Sequence, residues 1–191
     1  FGQTLGYWGV GNGGPWNAAS RGGDSLYIGS VLALKPSTGE IVWHYQFSPG
    51  DPYDYDGTNE LVLADLPIGG KTTKVLMQAN RNGFFYVIDR TSGKLISGTQ
   101  FARKVNWASG IDKASGRPID TPMTAMVRKT EVTPDFIEVW PSAFGGKNWM
   151  PMSYDPGRKL VFLNTIDLGM KVKYVKQERP GGPNWFLGLE L

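Results

Sequence analysis

The chain has 191 residues, of which 40% are hydrophobic and 13% aromatic. That is enough to bury one core and too much for a disordered polymer. Twenty-six Gly and 13 Pro argue against a helix bundle and for short strands joined by tight turns. With no cysteine and one histidine, His44, the chain lacks disulfides, zinc–thiolate sites and thiol nucleophiles, and nothing beside His44 completes a Ser-His-Asp triad.

The predicted elements are strands. A long apolar run covers 26–34, and further strands are expected at 41–45, 61–63, 74–77, 84–88, 137–140 and 160–163, each bounded by Gly, Pro, Asn or Asp. The alternation of Lys171 and Lys173 with Val172 and Tyr174 reads as one solvated strand face. The net charge of +3 brings no stacking or phosphate-loop motif with it, so no nucleic-acid partner is expected. No stretch keeps helical periodicity for three turns, and none approaches a membrane span. The chain is expected to be one domain, 1–191, with residues 98–147 as a turn-rich excursion. It begins at Phe1 and stops in mid-pattern at Leu191, and is read as a fragment.

The most informative stretch is Asp54-Tyr55-Asp56. In an extended backbone, carboxylates two residues apart point to one side. With no basic residue between them they repel, unless a cation, a shared proton or open water compensates. A hard cation with oxygen ligands and a hydrated acidic turn are both open readings. An EF-hand is excluded, because Thr58 and Asn59 stand where that loop needs a ligand and a Gly.

A repeat is visible. The unit from Ala33 through Thr38 and Gly39 to Trp43 aligns with the unit from Val87 through Ser92 and Gly93 to Ser97. Each has a strand end, a hydroxyl-plus-Gly turn and a second strand. Two ordinary hairpins would look the same, but the spacing is near the ~40–50 residues of propeller blades once an inserted loop is allowed. Four-stranded units of this kind bury their faces by stacking radially.

The first unit resembles the tryptophan-docking motif of quinoprotein propellers, with Lys35 in place of its Asp. The segments around Gly11-Asn12-Gly13, Asp54-Tyr55-Asp56, Asn80-Arg81-Asn82-Gly83, Asn106-Trp107 and Asn148-Trp149-Met150-Pro151 follow the order seen in pyrroloquinoline quinone (PQQ)-dependent alcohol dehydrogenases. The resemblance covers about residues 9 to 175, with only a loose match after Lys176. It implies an all-β fold, three to four blades of an eight-bladed β-propeller, inactive as an isolated piece. It also implies PQQ-dependent oxidation of a primary alcohol to the aldehyde, with hydride passing to the quinone beside a metal.

Carried over residue by residue, the resemblance makes Asn12, Asp54 and Asp56 metal ligands and Asp54 also the general base. Arg81, Asn148 and Trp149 become cofactor contacts. Read locally, Asn12 and Arg81 are equally turn residues and Trp149 a core residue. Family members often carry His where this chain has Lys147. Asp56 departs from calcium-type members, which have a small residue there, and agrees with lanthanide-type ones; a lanthanide(III) ion is expected, with Ca²⁺ as the fallback. The resemblance further implies a periplasmic protein passing electrons from a small alcohol to cytochrome c, and leaves a homodimer open. A non-catalytic PQQ-like propeller acting as an assembly scaffold is the alternative.

Overall fold

A computed structural model describes residues 4–176 and 187–191, so part of the loosely matching segment after Lys176 lies outside the described residues. Strands β1 (Gly6–Gly9), β2 (Ser30–Leu34) and β3 (Ile41–Gln46) form an antiparallel sheet in that order. Strands β4 (Val62–Ile68), β5 (Lys71–Ala79), β6 (Phe84–Asp89) and β7 (Leu95–Gln100) form a four-stranded antiparallel meander. A short pair, β8 (Ala108–Ile111) and β9 (Pro118–Asp120), leads into helix α1 (Pro122–Val127), capped by the Thr121 side chain. Strand β10 (Ile137–Val139) pairs with β13 (Met170–Tyr174), which also pairs with β14 (Leu189–Glu190). Between them lies the hairpin of β11 (Ser153–Asp155) and β12 (Leu160–Phe162). Residues 98–147 thus carry the end of β7, the β8–β9 pair, α1 and β10.

Side-chain patterning explains these elements. Inner strand β5 is buried from Val75 to Ala79, as expected for a strand covered on both faces. Strand β13 alternates, with Val172 and Tyr174 buried and the lysines outward, so the solvated-face reading holds. The apolar run 26–34 is only partly strand: Gly29, at φ 52°, turns the chain ahead of Ser30.

The repeat is a physical one. The turns at 35–40, 89–94 and 112–117 share one pair of hydrogen bonds, Lys35 N–H to Glu40 O with Gly39 N–H to Lys35 O, and their equivalents from Asp89 and Asp112. The third copy, ending in Ser115-Gly116, is the one that the sequence pattern did not reveal. Trp43 of the first sheet lies on the turn of the second: a Cβ on Gly93 would come within 2.7 Å of its indole, and Trp43 Nε1 donates to Arg90 O at 3.2 Å. Tyr45 repeats the arrangement, donating to Gly116 O at 2.5 Å. Neighbouring sheets therefore interlock through an aromatic residue laid against a turn where no side chain fits, the packing that a propeller requires.

The main core lies where these sheets converge. Its centre is aromatic, with Tyr53, Tyr55, Tyr86, Phe47 and Trp107 all fully buried. Tyr55 and Trp107 stand 5.5 Å apart and Phe47 and Tyr86 4.8 Å, spacings that suit tilted and edge-on ring pairs.

Candidate functional site

The loop 51–60 is built backwards from its tyrosines. Tyr53 Oη bonds Thr124 Oγ1 at 2.9 Å and Tyr55 Oη donates to Pro141 O at 2.6 Å, so both rings point into the core. Buried Asp51 accepts the N–H groups of Tyr53 (3.1 Å) and Tyr55 (2.7 Å) and curls the segment. Asp54 then takes a left-handed conformation, φ 66°, uncommon for a residue with a side chain but best tolerated by Asp and Asn. The segment is not a strand. The two carboxylates share a side because the loop is bent at Asp54, not because the backbone is extended, which corrects the reason given by the sequence.

Both carboxylates meet Arg81. Its Nη1 lies 3.2 Å from Asp54 Oδ2 and 3.1 Å from Asp56 Oδ2, and donates to Asp54 O at 2.9 Å. Its Nη2 donates to Asn148 Oδ1 at 3.4 Å. Asp56 Oδ1 accepts the backbone N–H of Asn12 at 2.7 Å, and a Cβ on Gly11 would stand 3.3 Å from that same oxygen. The structure therefore brings together Asn12, Asp54, Asp56, Arg81 and Asn148. Trp149 is beside them in the chain, with its backbone N–H on Asn148 Oδ1 at 2.9 Å, and is exposed within this chain.

The turn bearing Arg81 is held by a buried amide ladder that sequence reasoning missed. Gln78 Nε2 donates to Gly57 O and Asn59 O, and Asn80 Nδ2 to Asp56 O at 3.0 Å. Asn82 Nδ2 donates to Phe47 O and Tyr86 Oη. Three polar side chains in an otherwise strand-like stretch were the available signal, since buried amides persist only when bonded. Arg21 joins the other two loops, donating from Nε to Pro15 O at 2.7 Å and from Nη2 to Asp51 O. Lys147 is fully buried, with Nζ on Glu60 Oε2 at 2.8 Å.

Burial pushes the Asp54 carboxyl up to about 7, against the pull of Arg81 and helped by repulsion from Asp56 and Asp51. This burial, invisible in a sequence, outweighs the guanidinium. Burial also lifts Asp51, from 3.8 to about 6, although two N–H donors and Arg21 and Arg128 oppose it. A carboxyl raised on folding stabilises the fold below its unfolded value, and this is lost as pH rises through the folded one. Asp51 ionisation is therefore expected to cost about 3 kcal/mol between pH 4 and 7. The Asp51→Asn variant of the full-length protein should gain on wild type by about that amount across the window in urea unfolding. Parallel pH profiles would refute the assignment.

The residues suit both groups that the resemblance implies. Two carboxylates against one guanidinium leave a negative charge, and their oxygens are donors of the kind hard cations take. Arg81 is 6% exposed and its Nε has no hydrogen-bond partner among the described residues, so a buried donor is free for an acceptor-rich ligand.

Residues 7–106 match the family described as "PQQ: Glucose/ethanol/alcohol dehydrogenase, beta-propeller domain". The chain is 51% identical over 160 residues to quinohemoprotein alcohol dehydrogenase ADH IIB of Pseudomonas putida, covering 82% of this chain and 22% of that protein. It is 42% identical over 187 residues to the 1-butanol dehydrogenase (cytochrome c) of Thauera butanivorans, covering 92% of this chain and 26% of the relative. Among solved structures, a europium-containing methanol dehydrogenase superposes with a TM-score of 0.84 at 35% identity, over 97% of this chain and 31% of that one. The chain thus spans about a quarter of the length of the relatives it matches.

Proposed function

Because the chain belongs to the PQQ-type glucose/ethanol/alcohol dehydrogenase β-propeller family, we propose that the protein carrying it oxidises a primary alcohol to the aldehyde. The observation that carries this reading is the convergence of Asp54 and Asp56 on Arg81, against the loop of Asn12. When bound, PQQ supplies a two-electron sink and the adjacent ion a Lewis acid that acidifies the alcohol. Asn12, Asp54 and Asp56 would hold the ion through oxygen. Asp54 would accept the hydroxyl proton, a role that its raised pKa suits. Arg81 balances the negative charge that develops, at a buried position where a fixed cation is worth more than in water. Asn148 and Trp149 would border the cofactor.

The ion in this reading is a lanthanide(III), with Ca²⁺ as the fallback. The extra carboxylate of Asp56 supports it, as does the likeness to a europium-containing enzyme. Cytochrome c as electron acceptor follows the name of one relative, and a periplasmic location the habit of the family. The test is the absorption spectrum of the full-length protein with metal analysis. Quinone absorption, one metal ion per chain and alcohol-dependent dye reduction are expected; a spectrum without quinone would overturn the proposal in favour of a scaffold.

A further inference from the structure

We infer that Lys147 and Glu60 act as a positioning pair for the site, an inference that rests on the quinone reading above. Glu60 ends the loop that carries Asp54 and Asp56, and Lys147 precedes Asn148. Lys147 Nζ donates to Glu60 Oε2 at 2.8 Å and to Asn148 O at 3.1 Å. The second oxygen of Glu60 accepts the Met152 N–H at 2.7 Å. Both ends of the loop 148–152 are therefore clipped to one carboxylate–ammonium pair, with Lys147 wholly buried.

One further side-chain hold acts at the start of that loop, where Asn148 Nδ2 donates to Phe144 O at 3.1 Å. Within this chain Trp149 and Met150 are exposed. The chain entering the loop is already seated on the arginine, with Gly146 N–H on Arg81 O at 2.8 Å and no room for a Cβ on Gly145 beside Arg81 Cα. From that seat, the clip sets where Asn148 presents Oδ1, which meets both Arg81 Nη2 and the Trp149 N–H. A buried ion pair adds little stability over apolar residues of the same volume, whereas its directed hydrogen bonds have no apolar substitute. The pair thus couples the carboxylate loop to the Asn148 loop, and its effect reaches the ligand through Asn148.

The test uses the full-length protein and PQQ titration of the apoprotein. The double variant Lys147→Met/Glu60→Leu replaces the pair with apolar side chains and leaves no buried charge unpaired. It is expected to melt within a few degrees of wild type while its PQQ Kd rises at least tenfold. In an Asn148→Ala background the same double change should raise Kd less than twofold. An unchanged Kd, or the same tenfold rise without Asn148, would overturn the inference. Glu60→Gln keeps the side-chain volume and one acceptor, and serves if the double variant does not fold. It is expected to weaken PQQ by threefold or more, and a wild-type Kd there overturns the inference equally. Wild-type protein that binds no PQQ would instead sink the quinone reading, a separate failure.

Discussion

Asp54→Asn is expected to lower kcat for alcohol oxidation by about three orders of magnitude, within the 10²–10⁴ that a positioned proton acceptor contributes. The substitution separates chemistry from architecture. Asn is among the few residues that tolerate the φ of 66° found here, so the bend of the loop survives. Its carbonyl oxygen can still meet Arg81 Nη1, and the main-chain bond from Arg81 to residue 54 is untouched. What it lacks is a carboxylate able to take a proton and, with it, one of the two negative charges set against Arg81, so metal content is measured beside kcat. PQQ absorption should therefore remain while turnover falls. The pH profile gives a second readout: burial sets the carboxyl near 7 and a bound cation pulls it lower, so kcat/KM of the wild type should fall on the acid side at or below about 7. That limb should vanish in Asp54→Asn. A variant retaining more than a tenth of wild-type kcat would place the base elsewhere.

How the loop achieves this geometry also shows what a sequence conveys. The strands at 84–89 and 41–46 were legible because apolar and aromatic runs there stop at Gly and Asp turns. Strand β1, Gly-Tyr-Trp-Gly, gives no such pattern, since its pairing with β2 and not its composition makes it a strand. The short strands β8 and β9 escaped for the same reason. Within the site, Asp54, Asp56 and Arg81 were legible as residue types in a recognisable order. Their contact was not, because it depends on Asp51 capping two backbone N–H groups and on Tyr53 and Tyr55 anchoring opposite to the carboxylates. The burial of Lys147 was equally hidden: its partner Glu60 is remote in sequence, and lysines are seldom buried unless paired.

Asp56 carries the sharper prediction about the metal. Reconstituted with La³⁺ the full-length protein is expected to turn over, and with Ca²⁺ alone to show little activity. Asp56→Ala should abolish the La³⁺-dependent activity by two orders of magnitude or more and weaken PQQ binding less. Asp54 and Asp56 set against Arg81 leave one net negative charge at the site, and neutralising Asp56 leaves none, a loss felt more by a trivalent than by a divalent ion. Alanine also removes the acceptor of the Asn12 N–H, so its effect mixes charge with the seating of the Gly-Asn-Gly turn. Asp56→Asn resolves the two: its oxygen can keep the 2.7 Å bond to Asn12 while the charge is gone. If charge selects the ion, Asp56→Asn should lose La³⁺-dependent turnover nearly as far as Asp56→Ala. If seating of Asn12 is the main contribution, Asp56→Asn should stay near wild type, and full activity of the wild type with Ca²⁺ alone would end the lanthanide assignment outright.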